Sequence, residues 1–118
     1  MNTRLISTKT HCINDYALAA GAMILPSLLG VNKKAAGIYG LLGLNLASYT
    51  AVTDNSTGVV SGISLETHRK IDMANLATIY TAALAKPIRK DKKALAFHAG
   101  LALFATLNVL LTDWDKNS

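Results

Sequence analysis

The sequence predicts an all-α fold: four transmembrane helices forming two parallel two-helix repeats, related by a pseudo-two-fold along the membrane normal. Three observations predict it. Only 16% of the chain is charged while 51% is apolar, against roughly 25% charged in ordinary soluble domains. The apolar residues are gathered into runs: Tyr16 to Val31, Ala35 to Thr53 and Ala94 to Thr112 contain His98 but no Asp, Glu, Lys or Arg. A polar string also occurs twice, as Thr10-His11-Cys12-Ile13-Asn14-Asp15 and Thr67-His68-Arg69-Lys70-Ile71-Asp72.

The duplication extends beyond those strings. A shift of 57 residues pairs Ser7 with Ser64, His11 with His68, Asp15 with Asp72 and Ala17 with Ala74. After the first hairpin the shift is 59, pairing Ala35 with Ala94, Leu42 with Leu101 and Thr53-Asp54 with Thr112-Asp113. A period of this size marks one supersecondary unit used twice. The chain of 118 residues reads as one membrane domain, with unit one over about 7–54, a linker at 55–63 and unit two over about 64–113.

Helix 1 is expected from Ser7 to Thr10, where hydroxyls cap free N–H groups, to Leu29. Pro26 removes a donor and kinks or frays its last turn. Ala17 and Gly21 form a small-residue packing face. Lys33 and Lys34 sit in a tight turn before helix 2, Ala35 to Thr53, whose Gly37, Gly40 and Gly43 form a second close-packing face. Residues 54–63 are rich in turn formers. Ser64 caps helix 3, Leu65 to Ala85, which carries Asp72, Asn75, Thr78 and Thr81 and is expected to be the most enclosed by protein or to face polar groups on its neighbours. A basic loop from Lys86 to Lys93 precedes helix 4, Ala94 to Leu111. Each helix is close to the roughly 20 residues needed to cross about 30 Å of hydrocarbon. Residues 1–31 resemble a signal peptide only superficially, because His11, Asn14, Asp15 and Pro26 interrupt the run, and the segment has a later counterpart.

A His-x-x-x-Asp opening, a proline near the end of the first helix and a closing Thr-Asp resemble the small bacterial SPW-repeat membrane proteins. The likeness spans nearly the whole chain, although the Ser-Pro-Trp tripeptide is absent and Leu25-Pro26-Ser27-Leu28-Leu29-Gly30 keeps the proline and glycine. It implies a bundle of transmembrane helices in a bacterial inner membrane, and no activity.

Charge sets the expected topology. The hairpins hold seven cations (Lys33, Lys34, Lys86, Arg89, Lys90, Lys92, Lys93) and the other end five (Arg4, Lys9, Arg69, Lys70, Lys116). The positive-inside rule then places the hairpins in the cytoplasm and both termini outside. Tyr16, Tyr49 and Trp114 fall where interfacial aromatics sit. Nucleic acid is excluded as a partner because the cations are not interleaved with aromatics. The expected partners are a lipid bilayer and either other membrane subunits or a second copy. Cys12 is the single cysteine, so no internal disulfide forms.

Histidine and aspartate four residues apart share one helix face. Two such pairs, beside two Thr-Asp ends, make a polar cluster of His11, Asp15, Asp54, His68, Asp72 and Asp113. Its plainest role is hydrogen bonding that ties helix ends together. Imidazole and carboxylate are also ligands for zinc-type metals, so His11, Asp15, His68 and Asp72 are candidate metal ligands; histidine beside carboxylate handles protons as well. His98 is read as a packing hydrogen bond. No catalytic triad or paired-glutamate arrangement and no site for an organic cofactor is visible. The functional expectation is a non-catalytic accessory or structural membrane subunit, the alternatives being a metal- or proton-handling membrane protein and a soluble four-helix bundle with an unusually apolar surface and a wet face on helix 3.

Overall fold

Serine begins both halves of the fold. Ser7 and Ser64 each have extended backbone, and each side chain accepts from the N–H three residues on, Thr10 and Thr67, at 3.1 Å in both cases. They cap α1, Thr8–Leu28, and α3, Leu65–Ala82. Between these lies α2, Lys33–Ala51, capped by Asn32. After α3 comes a single turn, α4, Lys86–Arg89, and then α5, Lys92–Leu110, capped by Asp91. The computed structural model describes residues 5–114. The chain ends, including Arg4, Lys116 and the expected position of both termini, lie outside the described residues.

Helix 1 passes through Pro26 and stops at a left-handed glycine. Gly30 has φ of +79°; its N–H reaches Ser27 O at 3.2 Å and the Val31 N–H reaches Pro26 O at 2.9 Å. These two bonds form a Schellman motif, which satisfies the last carbonyls of α1. Proline is tolerated there, and Pro26 is buried. At the same end the two hairpins are tied together. Asp91 Oδ2 accepts from the backbone N–H and the side-chain amide of Asn32, at 3.1 and 2.8 Å, and that amide also donates to Pro87 O. Ile88 of α4, fully buried, plugs a core of Ala22, Val31, Ala35, Tyr39, Ala94 and Leu101.

At the opposite end the segments after α2 and α5 fold back in the same way. Asp54 N–H donates to Ile63 O and Asp113 N–H to Ile6 O, both at 2.8 Å. Thr53 thereby pairs with Ile63, and Thr112 with Ile6. The duplication is thus visible in backbone bonds that no side-chain pattern encodes.

The expected four spans are corrected. Among the described residues one helix, α5, is long and apolar enough to cross a membrane, and a third of its apolar window is buried within the chain. The others fall short for local reasons. Within α3, Glu66, Arg69, Lys70 and Asp72 are charged. In α1, Lys9, His11, Asn14 and Asp15 occupy the first turns, and α2 dilutes its leucines with glycine, Asn45, Ser48 and tyrosine. Placement as a four-span bacterial inner-membrane protein, with cytoplasmic hairpins and outer termini, falls with the spans. Of the two expectations for helix 3, enclosure does not hold, since Thr78 and Thr81 are exposed, whereas its Asp72 and Asn75 do face polar groups on neighbouring helices, His11 and Tyr49.

The expected packing faces divide. A Cβ at Gly43 would lie 2.6 Å from Ala19 O, so α1 and α2 cross there at backbone distance. Gly37 and Gly40 face open space, and Gly21 meets only Leu25 of its own helix. In unit two Ala102 stands where Gly43 does, which denies α3 and α5 so close a crossing. Gly43→Ala is expected to destabilise the fold by about 1–3 kcal/mol through overpacking, while Gly40→Ala stabilises it by up to about 1 kcal/mol through helix propensity. Urea denaturation of the two variants gives opposite signs if Gly43 alone is a crossing point.

Candidate metal centre

A spacing of four residues, about one helical turn, brings His11 over Asp15 on α1 and His68 over Asp72 on α3, because residues four apart stack on one face. The two faces meet. His11 and His68 are fully buried, and Asp15 and Asp72 are 3% and 4% exposed. His11 Nε2 lies 2.7 Å from Asp72 Oδ2 and 3.1 Å from Asp15 Oδ2; His68 Nε2 lies 2.8 Å from Asp15 Oδ2 and 3.3 Å from Asp72 Oδ2. The shorter contact of each histidine is to the carboxylate of the other unit.

The far side of each ring fixes its proton. His68 Nδ1 is 2.8 Å from Thr53 Oγ1, and that hydroxyl donates to Tyr49 O at 2.6 Å. His11 Nδ1 is 2.8 Å from Thr112 Oγ1, whose hydroxyl donates to Asn108 O, and 2.9 Å from that same carbonyl. Both threonines have directed their one proton elsewhere, and a carbonyl only accepts. Nδ1 therefore carries hydrogen in both histidines. A neutral ring in that tautomer aims the Nε2 lone pair at a carboxylate oxygen, which repels it. Positive charge must lie between them, as a proton on Nε2 or as a metal ion.

The second oxygen of each carboxylate is also satisfied across the units. Tyr49 OH donates to Asp72 Oδ1 at 2.5 Å, and Asn108 Nδ2 donates to Asp15 Oδ1 at 3.0 Å. Tyr49 and Asn108 occupy equivalent positions, so unlike side chains do one job. Asn75 Nδ2 in turn donates to Tyr49 OH at 3.0 Å. Trp114 covers the ring of His11, centroids 4.5 Å apart, and Arg69 lies over the indole at 6.0 Å. On the opposite side a cavity of about 40 Å³ is lined by Asp15, Asp72, Tyr49 and Asn75 and otherwise by apolar side chains, room enough for water to reach the carboxylates.

Without a metal the four groups form a buried double ion pair. Burial alone would lower the pKa of His11, but hydrogen bonds and charge from Asp15 and Asp72 outweigh it and raise it to about 9. His68 is raised by the same balance. For Asp72 burial works upward, and the two imidazoliums overcome it and bring it down to about 2. Burial beside Asp72 pushes the Tyr49 hydroxyl well up, so it stays a donor. Cys12 is also buried; its thiol is pushed up to about 11 by desolvation and accepts from Asn55 at 2.9 Å.

Of the expected polar cluster, His11, Asp15, His68 and Asp72 converge. Asp54 does not join them: it is exposed, and its carboxylate accepts from Ser61. Asp113 meets Ile6 through its backbone N–H. In each Thr-Asp pair it is the threonine that reaches a histidine, because that side chain points inward when the backbone folds back. Tyr49 and Asn108 were not anticipated, since the repeat pairs unlike residues there. Tyr49 is buried rather than interfacial, and Tyr16 donates to Thr57 O. His98 is a packing residue, its Nε2–H donating to Ile79 O at 2.8 Å and its Nδ1 accepting from Tyr39 OH at 2.7 Å.

Comparison with protein-family models, curated proteins and solved structures finds no match to this chain. The likeness to SPW-repeat proteins therefore adds nothing to the reading of the site.

Two outcomes follow for the metal-free protein. A histidine with a raised pKa contributes stability that is full below its unfolded value of 6.5 and is lost as pH rises through about 9. Asp72, lowered, contributes above 3.8 and loses that contribution as pH falls through about 2. Stability from urea titrations should be flat between those unfolded values and fall on either side. His11→Ala leaves buried carboxylate charge short of a partner and is expected to cost about 3–5 kcal/mol, with His11→Ala/Asp72→Ala losing less than the sum of the single variants.

Proposed function

We propose that this chain is a non-catalytic helical metal-binding protein that holds one divalent ion of the zinc type between its two repeats. The observation that carries this is the arrangement of two Nε2 and two Oδ2 atoms, all within 4.8 Å of one another, with both Nδ1 atoms already committed as donors. Zinc bonds of about 2.0–2.2 Å in a tetrahedron give ligand–ligand edges of about 3.3–3.6 Å. The four N···O edges here run from 2.7 to 3.3 Å while the group as a whole spans up to 4.8 Å, so an ion needs the N···O edges to open and the widest pair to draw together. It replaces two Nε2 protons, and its charge balances the two carboxylates.

The surroundings support the same reading. Ligating histidines characteristically donate their other N–H to a fixed acceptor, and ligating carboxylates are themselves hydrogen-bonded. Thr53, Thr112, Asn108 and Tyr49 provide those partners. Four protein ligands close the coordination sphere, the pattern of structural zinc rather than of a catalytic ion with an open position.

Purified full-length protein should bind one equivalent of Co²⁺ with the visible absorption of a tetrahedral ion. The single tryptophan, in edge contact with His11, should lose fluorescence as that ion binds. Zinc should raise the melting temperature of the natural chain, by mass action on the folded state, and leave that of His68→Ala unchanged. A chain that takes up no stoichiometric metal and shows no cobalt bands would reduce the tetrad to an ion-pair knot.

The outer surface favours a companion role in association with itself or with other subunits. Leu28, Leu41 and Leu84 are more than 70% exposed, and Gly37 and Gly40 offer an open helix face beside Leu41. Light scattering should then show a mass that rises with protein concentration.

A further inference from the structure

The hairpin end of the molecule is a continuous basic surface. Lys33 and Lys34 open α2, Lys86 and Arg89 belong to α4, and Lys90, Lys92 and Lys93 lead into α5; all seven are exposed. The bonds from Asn32 to Asp91 and Pro87 hold the two hairpins side by side, so these cations form one face rather than two separate loops. Asp91 is the acid of that end, and both its oxygens are occupied: Oδ2 by Asn32, and Oδ1 by the N–H groups of Lys93 and Ala94. It is turned to structural work inside the hairpin pair.

Leucines border the same face. Leu28 and Leu29 end α1 and are 74% and 52% exposed, and Leu84, between α3 and α4, is 72% exposed. Cations beside exposed leucines, without aromatics to stack on bases, suit an anionic lipid surface better than a nucleic acid. The lysines meet headgroup phosphates, and the leucines enter the boundary beneath them.

We infer that the hairpin face docks on anionic phospholipid as a peripheral contact, one that requires no helix to cross the bilayer. The inference is independent of the metal reading, since none of these residues touches the tetrad.

Sedimentation of the full chain with vesicles tests it. Strong binding is expected to vesicles of phosphatidylcholine with about a third phosphatidylglycerol, and little to phosphatidylcholine alone. Binding should fall steeply as salt is raised to about 0.5 M, where the screening length drops to a few ångströms. Replacing Lys33, Lys34, Lys90 and Lys92 by glutamine should weaken the partition about a hundredfold or more, with helix content unchanged by circular dichroism. Leu28→Ser with Leu84→Ser should weaken it less and leave the salt dependence intact. Should the fourfold variant not fold, the lipid and salt dependence of the natural chain and Lys90→Gln still decide. Equal binding to both vesicle types, retention by the glutamine variant, absence of binding, or displacement from vesicles by a DNA duplex would each overturn the inference.

Discussion

Two imidazoles and two carboxylates buried against one another need positive charge between them, and the rest of the structure follows from that need. Charges removed from water are costly unless every remaining lone pair and proton has a partner. Here each partner comes from the opposite unit: Thr112 and Asn108 serve α1, and Thr53 and Tyr49 serve α3. The electrostatic requirement therefore sets the way the halves face each other. Apolar packing could tolerate several registers of four helices rich in alanine and leucine; the tetrad tolerates one.

That division of labour explains the plainness of the core. Among the described residues five of the fourteen buried apolar side chains are alanines, with Tyr39, Tyr49, Leu76, Ile79, Ile88 and Leu101 as the larger ones, while many big apolar residues point outward. A core of small side chains lets helices come close where a glycine permits, as at Gly43, and contributes little orientation of its own. Orientation comes from polar groups at both ends, the tetrad at one and Asn32 with Asp91 at the other.

Much of this was legible in the chain. The duplicated His-x-x-x-Asp strings located four site residues, and the equal spacing of the serine caps located the starts of α1 and α3. What misled was reading hydropathy as environment. Apolar runs with few charges look alike whether lipid or protein lies beside them, and the polar residues of α1 and α3, expected to tie together the ends of membrane-crossing helices, belong to helices that do not qualify as spans. Tyr49, expected at an interface, and Asn108 were missed as site residues for a different reason: equivalent positions need equivalent hydrogen-bond donors, not equivalent residues. The Thr-Asp ends drew attention to the more acidic member, whereas geometry uses the hydroxyl.

Because the shorter contacts of the tetrad cross between the units and the longer ones stay within each unit, two chains that traded halves would rebuild it twice with every bond unchanged. Neither ion pairing nor metal affinity distinguishes the closed monomer from such an exchanged dimer. That distinction rests on the connection between the halves, where Val52 O accepts from Gly62 and Ile63, Asp54 N–H reaches Ile63 O, and Ala51 O accepts from Val59. These bonds fold the linker back on the end of α2 and hold it as a short return rather than an open arm. Shortening it until that return can no longer be made would favour the exchanged dimer, because short strained hinges invite domain swapping, so the stretch with the least sequence distinction governs how many chains share one site.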